Sequence, residues 1–209
     1  MDKTALAIQV FNTKAQDYQD KYMVQEQYHA SFDLFCKRVE KPGAEILELA
    51  CGPGNITRYL LQQRPDFKIL CTDLAPNMLD LARINNPAAD FLLLDCRDFL
   101  QLNQTWDAII MGFCLPYLDK EQAIKLIRDS AQALVQGGVI YISTMEDDYG
   151  KSGLVYTSDG SSQCFIHYHE GAYLEQALND SGFDVLHLIR QDFPGQSGTT
   201  DLILLARKR

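Results

Sequence analysis

From residue 44 to residue 144, short apolar runs alternate with segments whose apolar residues recur every three or four positions, and few folds accommodate that order. Residues 44–49 read as a strand ending in Gly52-Pro53-Gly54, with a helix over 56–63 behind it. Strands over 68–73, 90–95, 106–113 and 139–144 follow, with helices over 76–84 and 120–135. Strands joined through helices run parallel, with both faces of the sheet covered. Upstream, Leu6, Val10, Phe11, Ala15, Tyr18, Tyr22, Phe32, Phe35 and Val39 are spaced mainly by three or four without Gly or Pro, which predicts a helical segment of two helices. Downstream, residues 145–162 lose the apolar period and read as an exposed insertion or loop rich in Asp, Gly, Ser and Tyr. A short strand over 164–168, a helix over 170–180 and strands over 183–189 and 201–206 complete the chain. Residues 192–200, with Pro194, Gly195 and Gly198, separate the last two strands, which have no helix between them and so pair antiparallel. The expected class is α/β: a doubly wound, mostly parallel seven-stranded sheet with a C-terminal antiparallel hairpin and N-terminal helices.

One such domain accounts for 209 residues, and a composition of 46% hydrophobic and 22% charged residues allows a sizeable core. The net charge of −9 repels phosphate backbones and anionic lipid, so neither a nucleic acid nor a membrane is expected as partner. The basic clusters Lys37-Arg38 and Arg207-Lys208-Arg209 read as solvated ends. The longest nearly apolar stretch, residues 108–118, contains Gly112 and Pro116 and falls short of the roughly 18 residues that span a bilayer. Residues 5–10 are too short for a signal-peptide core, so a cytoplasmic location is expected. Cys36, Cys51, Cys71, Cys96, Cys114 and Cys164 show no C-x-x-C and no paired Cys/His spacing. They read as reduced, mostly buried thiols, with no metal site, although four of them fall near strand ends.

A strand running into Gly52-Pro53-Gly54 and then a helix puts backbone N–H groups, unobstructed by side chains, at a positive helix terminus. A tight turn in any doubly wound protein has the same look. The dinucleotide fingerprint G-x-G-x-x-G/A has Thr57 at its third position here, which disfavours NAD. Asp73 closes the second strand 19 residues beyond Gly54, where a carboxylate can accept hydrogen bonds from a ribose diol or cap the helix that starts near Pro76. Asp95 and Cys96 close the third strand at the same sheet edge, for ligand contact or for loop hydrogen bonding.

With these residues in view, the chain from about Phe11 to Arg207 resembles the class I S-adenosylmethionine-dependent methyltransferases, in particular small bacterial members with an N-terminal helical lid. Ile46-Leu47-Glu48-Leu49-Ala50-Cys51-Gly52-Pro53-Gly54-Asn55 is similar to the family's first motif, which implies Glu48 as the acidic residue opening a loop around the methionine part of the cofactor. Ala50 stands where the family often has Gly, and reduced loop freedom is expected. Thr72-Asp73-Leu74-Ala75-Pro76-Asn77-Met78-Leu79 resembles the second motif, implying Asp73 on the ribose hydroxyls and Leu74 and Met78 beside the adenine. Asp95-Cys96 matches the adenine-edge position, and residues 106–111, ending in Met111, match the strand beneath the transferred methyl. Residues 15–22 resemble the lid segment, and Tyr18 and Tyr22 share a helix face over the cofactor or against the sheet.

The resemblance implies a Rossmann-like methyltransferase fold, S-adenosylmethionine as cofactor and S-adenosylhomocysteine as product. It divides the single domain into a helical lid (1–40), a cofactor-binding core (41–144) and an acceptor-side insertion with sheet-closing strands (145–209). Two departures bear on the acceptor. Leu115-Pro116-Tyr117 replaces the segment where many relatives carry His, and the Asn/Asp-Pro-Pro-Tyr/Phe tetrapeptide of nucleobase methylation is missing. In-line methyl transfer needs alignment and exclusion of water more than acid catalysis, so a base is optional. If the acceptor is a phenol, catechol or amine, His167, Tyr168 and His169 are candidate bases, alternatively just an amphipathic edge; Tyr117, Tyr149 and Phe165 are candidate aromatic walls. Catalytic candidates are therefore His167, His169 and Tyr117. The leading expectation is methyl transfer to a small molecule. A protein that binds the cofactor without transferring methyl, and an NAD-dependent oxidoreductase, are the alternatives.

Overall fold

The computed structural model describes residues 3–156, 160–192 and 200–209. Strands β1 (Glu45–Leu49), β2 (Lys68–Asp73), β3 (Asp90–Leu93), β4 (Trp106–Gly112) and β5 (Leu134–Glu146) pair in parallel. Two further strands, β8 (Phe183–Asp192) and β9 (Thr200–Lys208), add an antiparallel hairpin through β5, giving the sheet order β3-β2-β1-β4-β5-β9-β8. The order reverses beside β1, so the carboxyl ends of β1 and β4 diverge there and open a crevice.

Both faces of the central strands β1, β4, β5 and β9 are buried over most of their length, while the edge strands β3 and β8 are partly exposed. Leu47, Leu49, Ile109, Met111, Ile140 and Leu204 pack against α6 (Lys120–Ala133) and α7 (Gly171–Asp180). Ile46, Ile69, Ile110, Tyr141 and Ile203 pack against α3 (His29–Arg38), α4 (Asn55–Gln63) and α5 (Pro76–Asn85). The start of α6 is fixed by a capping box: the Asp119 carboxylate accepts from Gln122 N–H at 2.8 Å, and the Gln122 side chain accepts from Asp119 N–H at 3.0 Å.

Three regions depart from the sequence expectation. The N-terminal segment forms three helices, not two: α1 (Lys3–Thr13), α2 (Ala15–Tyr22) and α3, with a 3-10 turn over Glu26–Tyr28. Lys14 bends the path between α1 and α2 while hydrogen bonds continue on both sides, and non-helical backbone at Gln25 turns the chain so that Tyr28, Phe32 and Phe35 reach the sheet. Strand β5 begins five residues early, at Leu134 and not 139, running through Gly137 and Gly138 with a register shift against β4. The insertion contains β6 (Gly153–Tyr156), which pairs with β7 (Gln163–Ile166) in a separate hairpin against α1, so the expected strand over 164–168 lies outside the main sheet. The expected loop over 192–200 lies, apart from its ends, outside the described residues. Among the described residues, no helix is long and apolar enough to cross a membrane.

Candidate active site at the carboxyl edge

After β1 the chain winds tightly: Ala50, Gly52 and Gly54 have φ of 56°, 55° and 79°. Ala50 thus holds a left-handed backbone that glycine adopts without steric cost, which is the physical content of its departure from the family motif. Gly54 is set by packing, since a Cβ there would meet Asn86 Nδ2 at 2.3 Å; that amide instead donates to Gly54 O at 3.0 Å. The turn is tied to β2 through Asp73. Gly52 N–H donates to its Oδ2 and Ala75 N–H to its Oδ1, both at 2.8 Å. The residue before α5 is Ala75, with no side-chain cap, so Asp73 braces two turns and does not cap the helix. Each carboxylate oxygen keeps further acceptor capacity.

A cavity opens over this edge. It is bordered by Asp73, Leu74 and Met78 from the β2–α5 turn, Asp95 and Cys96 after β3, Gly112 to Cys114 after β4, and Ala50 and Gly52 from the first turn. Tyr18, Phe11 and Tyr117 line it from above. A second, smaller cavity shares Tyr18, Ala50, Gly52, Gly112 and Phe113, and adds Glu48, Cys51, Asn55 and Tyr28. Asp95 serves both roles read from the sequence: it borders the cavity, accepts from Arg97 N–H at 2.9 Å and pairs with the Arg97 guanidinium, which holds its carboxyl below the usual range despite partial burial.

Other candidates stand back from the cavities. Gly54 and Tyr22 line neither; Tyr22 packs on Tyr18 with ring centroids 4.7 Å apart. Met111 is fully buried beneath the edge. His169 is buried, its Nε2 2.8 Å from Leu115 O and its Nδ1 bonded to the Tyr173 hydroxyl. Burial pushes its pKa down to about 4. His167 bonds through Nδ1 to the Tyr149 hydroxyl at 3.3 Å, and its backbone N–H donates to Pro116 O at 2.8 Å. The two histidines therefore buttress the turn Leu115–Tyr117 that presents Tyr117, and they line neither cavity.

Glu48 is 1% exposed, and burial raises its pKa to about 7 even though the Thr57 hydroxyl donates to it. Thr57, the residue that breaks the dinucleotide fingerprint, is there to satisfy this carboxyl. Burial likewise raises the phenols of Tyr18 and Tyr117, which stay protonated. Sequence reasoning missed Phe113, held at φ 51°, and Cys114, whose Sγ lies 3.5 Å from Cys96 Sγ. The Gly112 and Pro116 that interrupt the apolar run after β4 were the available signal for both. Phe11 was read only as part of the helical period, although its ring meets Tyr117 edge-on at 4.9 Å.

A family model described as a methyltransferase domain matches residues 46–138. The malonyl-[acyl-carrier protein] O-methyltransferase of Acetivibrio thermocellus is 28% identical over 146 residues, 69% of this chain and 50% of that protein. The trans-aconitate 2-methyltransferase of Variovorax paradoxus is 36% identical over 107 residues, 50% of this chain and 40% of that protein. A tRNA N(3)-methylcytidine methyltransferase of Schizosaccharomyces pombe is 23% identical over 62% of this chain and 56% of its own. This chain thus spans about half the length of the curated relatives it matches. Among solved structures, a DhpI–SAH complex superposes with a TM-score of 0.75 at 19% identity, covering 99% of this chain and 97% of that one. Magnesium protoporphyrin IX methyltransferase from Synechocystis with bound SAM gives 0.74 at 16% identity, covering 100% and 98%.

Proposed function

We propose that this chain is a class I S-adenosylmethionine-dependent methyltransferase, an enzyme carrying a methyl group from S-adenosylmethionine to a small-molecule acceptor in the cytoplasm, a reading supported by the methyltransferase-domain match over residues 46–138. The observation that carries this reading is Asp73: a carboxylate braced by the N–H groups of Gly52 and Ala75, on a cavity that also presents Leu74, Met78 and Asp95. The residues present fit the cofactor. Asp73 retains acceptor capacity for a ribose diol, Leu74 and Met78 offer apolar faces to a purine, and Asp95 stands at its edge. Around the amino-acid end, Gly52 leaves room that a Cβ would take up, 3.8 Å from the Tyr18 ring, while the start of α4 offers a positive helix terminus.

When bound, the cofactor supplies an electrophilic methyl on a sulfonium with a neutral leaving group. The chain's own task is then to bind, align and exclude water. Asp73 and Asp95 hold one end, and the Ala50–Asn55 turn with Glu48 holds the other. Tyr18, backed by Tyr22, covers the cleft from α2 together with Phe11 and Tyr117, and Gly112 to Cys114 form the floor beside Met111. In this reading residues 1–40 are the lid, 41–144 the cofactor core and 145–209 the acceptor side. A small acceptor is favoured over nucleic acid by the net charge of −9 and by the carboxylates of the lining.

Incubation of the purified chain with S-adenosylmethionine and a panel of small amines, phenols and carboxylates tests the proposal. Acceptor-dependent S-adenosylhomocysteine formation is expected. Binding of the cofactor with no turnover across the panel favours instead a cofactor-binding protein without transferase activity.

A further inference from the structure

The cofactor reading above puts the Tyr18 ring over the cleft, and the seat of α2 decides where that ring stands. That seat is slight. The helix is eight residues long and mostly polar, and its only fully buried residue, Ala15, sits in a small apolar cluster with Ala75 and Met78. A helix this short is marginal on its own. Its second half is tied to the core by a side chain of α5. Asn85, the last residue of that helix, donates from Nδ2 to Gln19 Oε1 at 2.6 Å, and Met23, just past the end of α2, brings its Sδ within 3.8 Å of the same nitrogen.

The same amide also reaches the first turn. Its Nδ2 donates to Pro53 O at 2.8 Å, so a single amide group joins the lid to the turn between Gly52 and Gly54. The turn does not depend on that bond alone, since Asn86 donates to Gly54 O at 3.0 Å and Asp73 accepts from Gly52 N–H at 2.8 Å. What Asn85 adds is the link to α2, and Gln19 follows Tyr18 directly in that helix. Gln19 and Asn85 line neither cavity, so they act through Tyr18 and not on a ligand.

We propose that Gln19 and Asn85 form a latch: they are positioning residues that hold α2, and with it the Tyr18 ring, closed over the bound cofactor, and the opening of their hydrogen bond governs how fast S-adenosylhomocysteine leaves. Both partners are uncharged amides. A neutral hydrogen bond between them shifts the balance of closed against open lid by a factor of about three to ten, strong enough to retain a ligand and weak enough to open in every cycle. Losing the bond raises the open fraction, and the release rate rises with it. The contacts of the closed cleft are unchanged, and entry through the open lid is not slowed.

The test is the release of S-adenosylhomocysteine from the full chain, chased by excess S-adenosylmethionine in a rapid-mixing measurement. Gln19→Met, which keeps the length of the side chain but has no oxygen acceptor, should speed release about threefold to tenfold and leave the association rate within about twofold. Gln19→Glu, which keeps an acceptor in place, should stay within about twofold of wild type. In an Asn85→Ala background Gln19→Met should add nothing, because the two residues make one contact. In the saturated complex, amide exchange over residues 15–22 should be faster in Gln19→Met than in wild type. Unchanged release in Gln19→Met, equally fast release in Gln19→Glu, or additive effects in the double variant would overturn the latch while leaving cofactor binding intact. A folded wild-type chain that fails to bind S-adenosylhomocysteine overturns the reading beneath it as well.

Discussion

Ala50 shows how one methyl group records a backbone demand. Its φ of 56° is left-handed, where an L side chain costs roughly 1–2 kcal/mol and Gly costs little beyond its own entropy. Ala50→Gly should therefore stabilise the chain by about 0.5–1 kcal/mol, read as a higher urea midpoint at unchanged slope; a loss of stability would contradict the strain. The sequence disclosed the position but only the backbone disclosed the cost. Glu48 carries a pH signature. Its folded pKa, raised to about 7, means the neutral form fits the fold, so its contribution is full below about 4.5 and is lost as pH rises through 7. Glu48→Gln cannot ionise and still accepts from Thr57, so its stability advantage should grow between pH 4.5 and 8, by up to about 3 kcal/mol. A gap that stays flat across that range would contradict the burial. His169 has the opposite sign. With its pKa lowered to about 4, its contribution is full above about 6.5 and is lost as pH falls through 4, so the gap between wild type and His169→Gln should narrow on acidification in urea melts.

At the scale of elements, the strands and helices from 45 to 112 were legible because β1, β2 and β4 lie inside the sheet and, like the edge strand β3, read as apolar runs between turn residues. The first turn and Asp73 were legible for the same reason: they sit where that pattern breaks. The N-terminal helices were not separated correctly, because the apolar period continues across Lys14 and the turn at Gln25 carries no Gly or Pro. The hairpin of β6 and β7 escaped notice because β6 is exposed, with Leu154 and Tyr156 at 59% and 67%, so no apolar alternation marks it. The histidine segment read either as candidate bases or as an amphipathic edge, and tertiary contacts with Leu115, Tyr149 and Tyr173 turn both rings toward the frame. The capping box of α6 is a local device with a local effect. Asp119→Ala should cost about 1 kcal/mol in chemical denaturation, and a change below about 0.3 kcal/mol would show that tertiary packing alone sets the start of that helix.

At the scale of the whole molecule, the helices α1 and α2 lie across the crevice and are fastened to the core by side-chain amides. Asn77 N–H and its side-chain amide donate to Asn12 at 2.9 and 2.8 Å, and the Asn85 amide spans Gln19 Oε1 and Pro53 O at 2.6 and 2.8 Å. Tyr18 and Phe11 belong to that layer and line the cavity, so a ligand in the crevice touches the lid, the first turn and β2 at once. Binding at such a junction couples all three, and Asp73 is the residue common to the turn and the ligand wall. The most direct measurement is calorimetric titration of the purified chain with S-adenosylmethionine and S-adenosylhomocysteine, with NAD as control, on wild type and Asp73→Asn. Saturable binding of both sulfur ligands, absent for NAD and weakened in the variant by about 1–3 kcal/mol, is the predicted result. No binding by the folded wild type, or unchanged affinity in a folded Asp73→Asn, would contradict the placement of the cofactor at this edge.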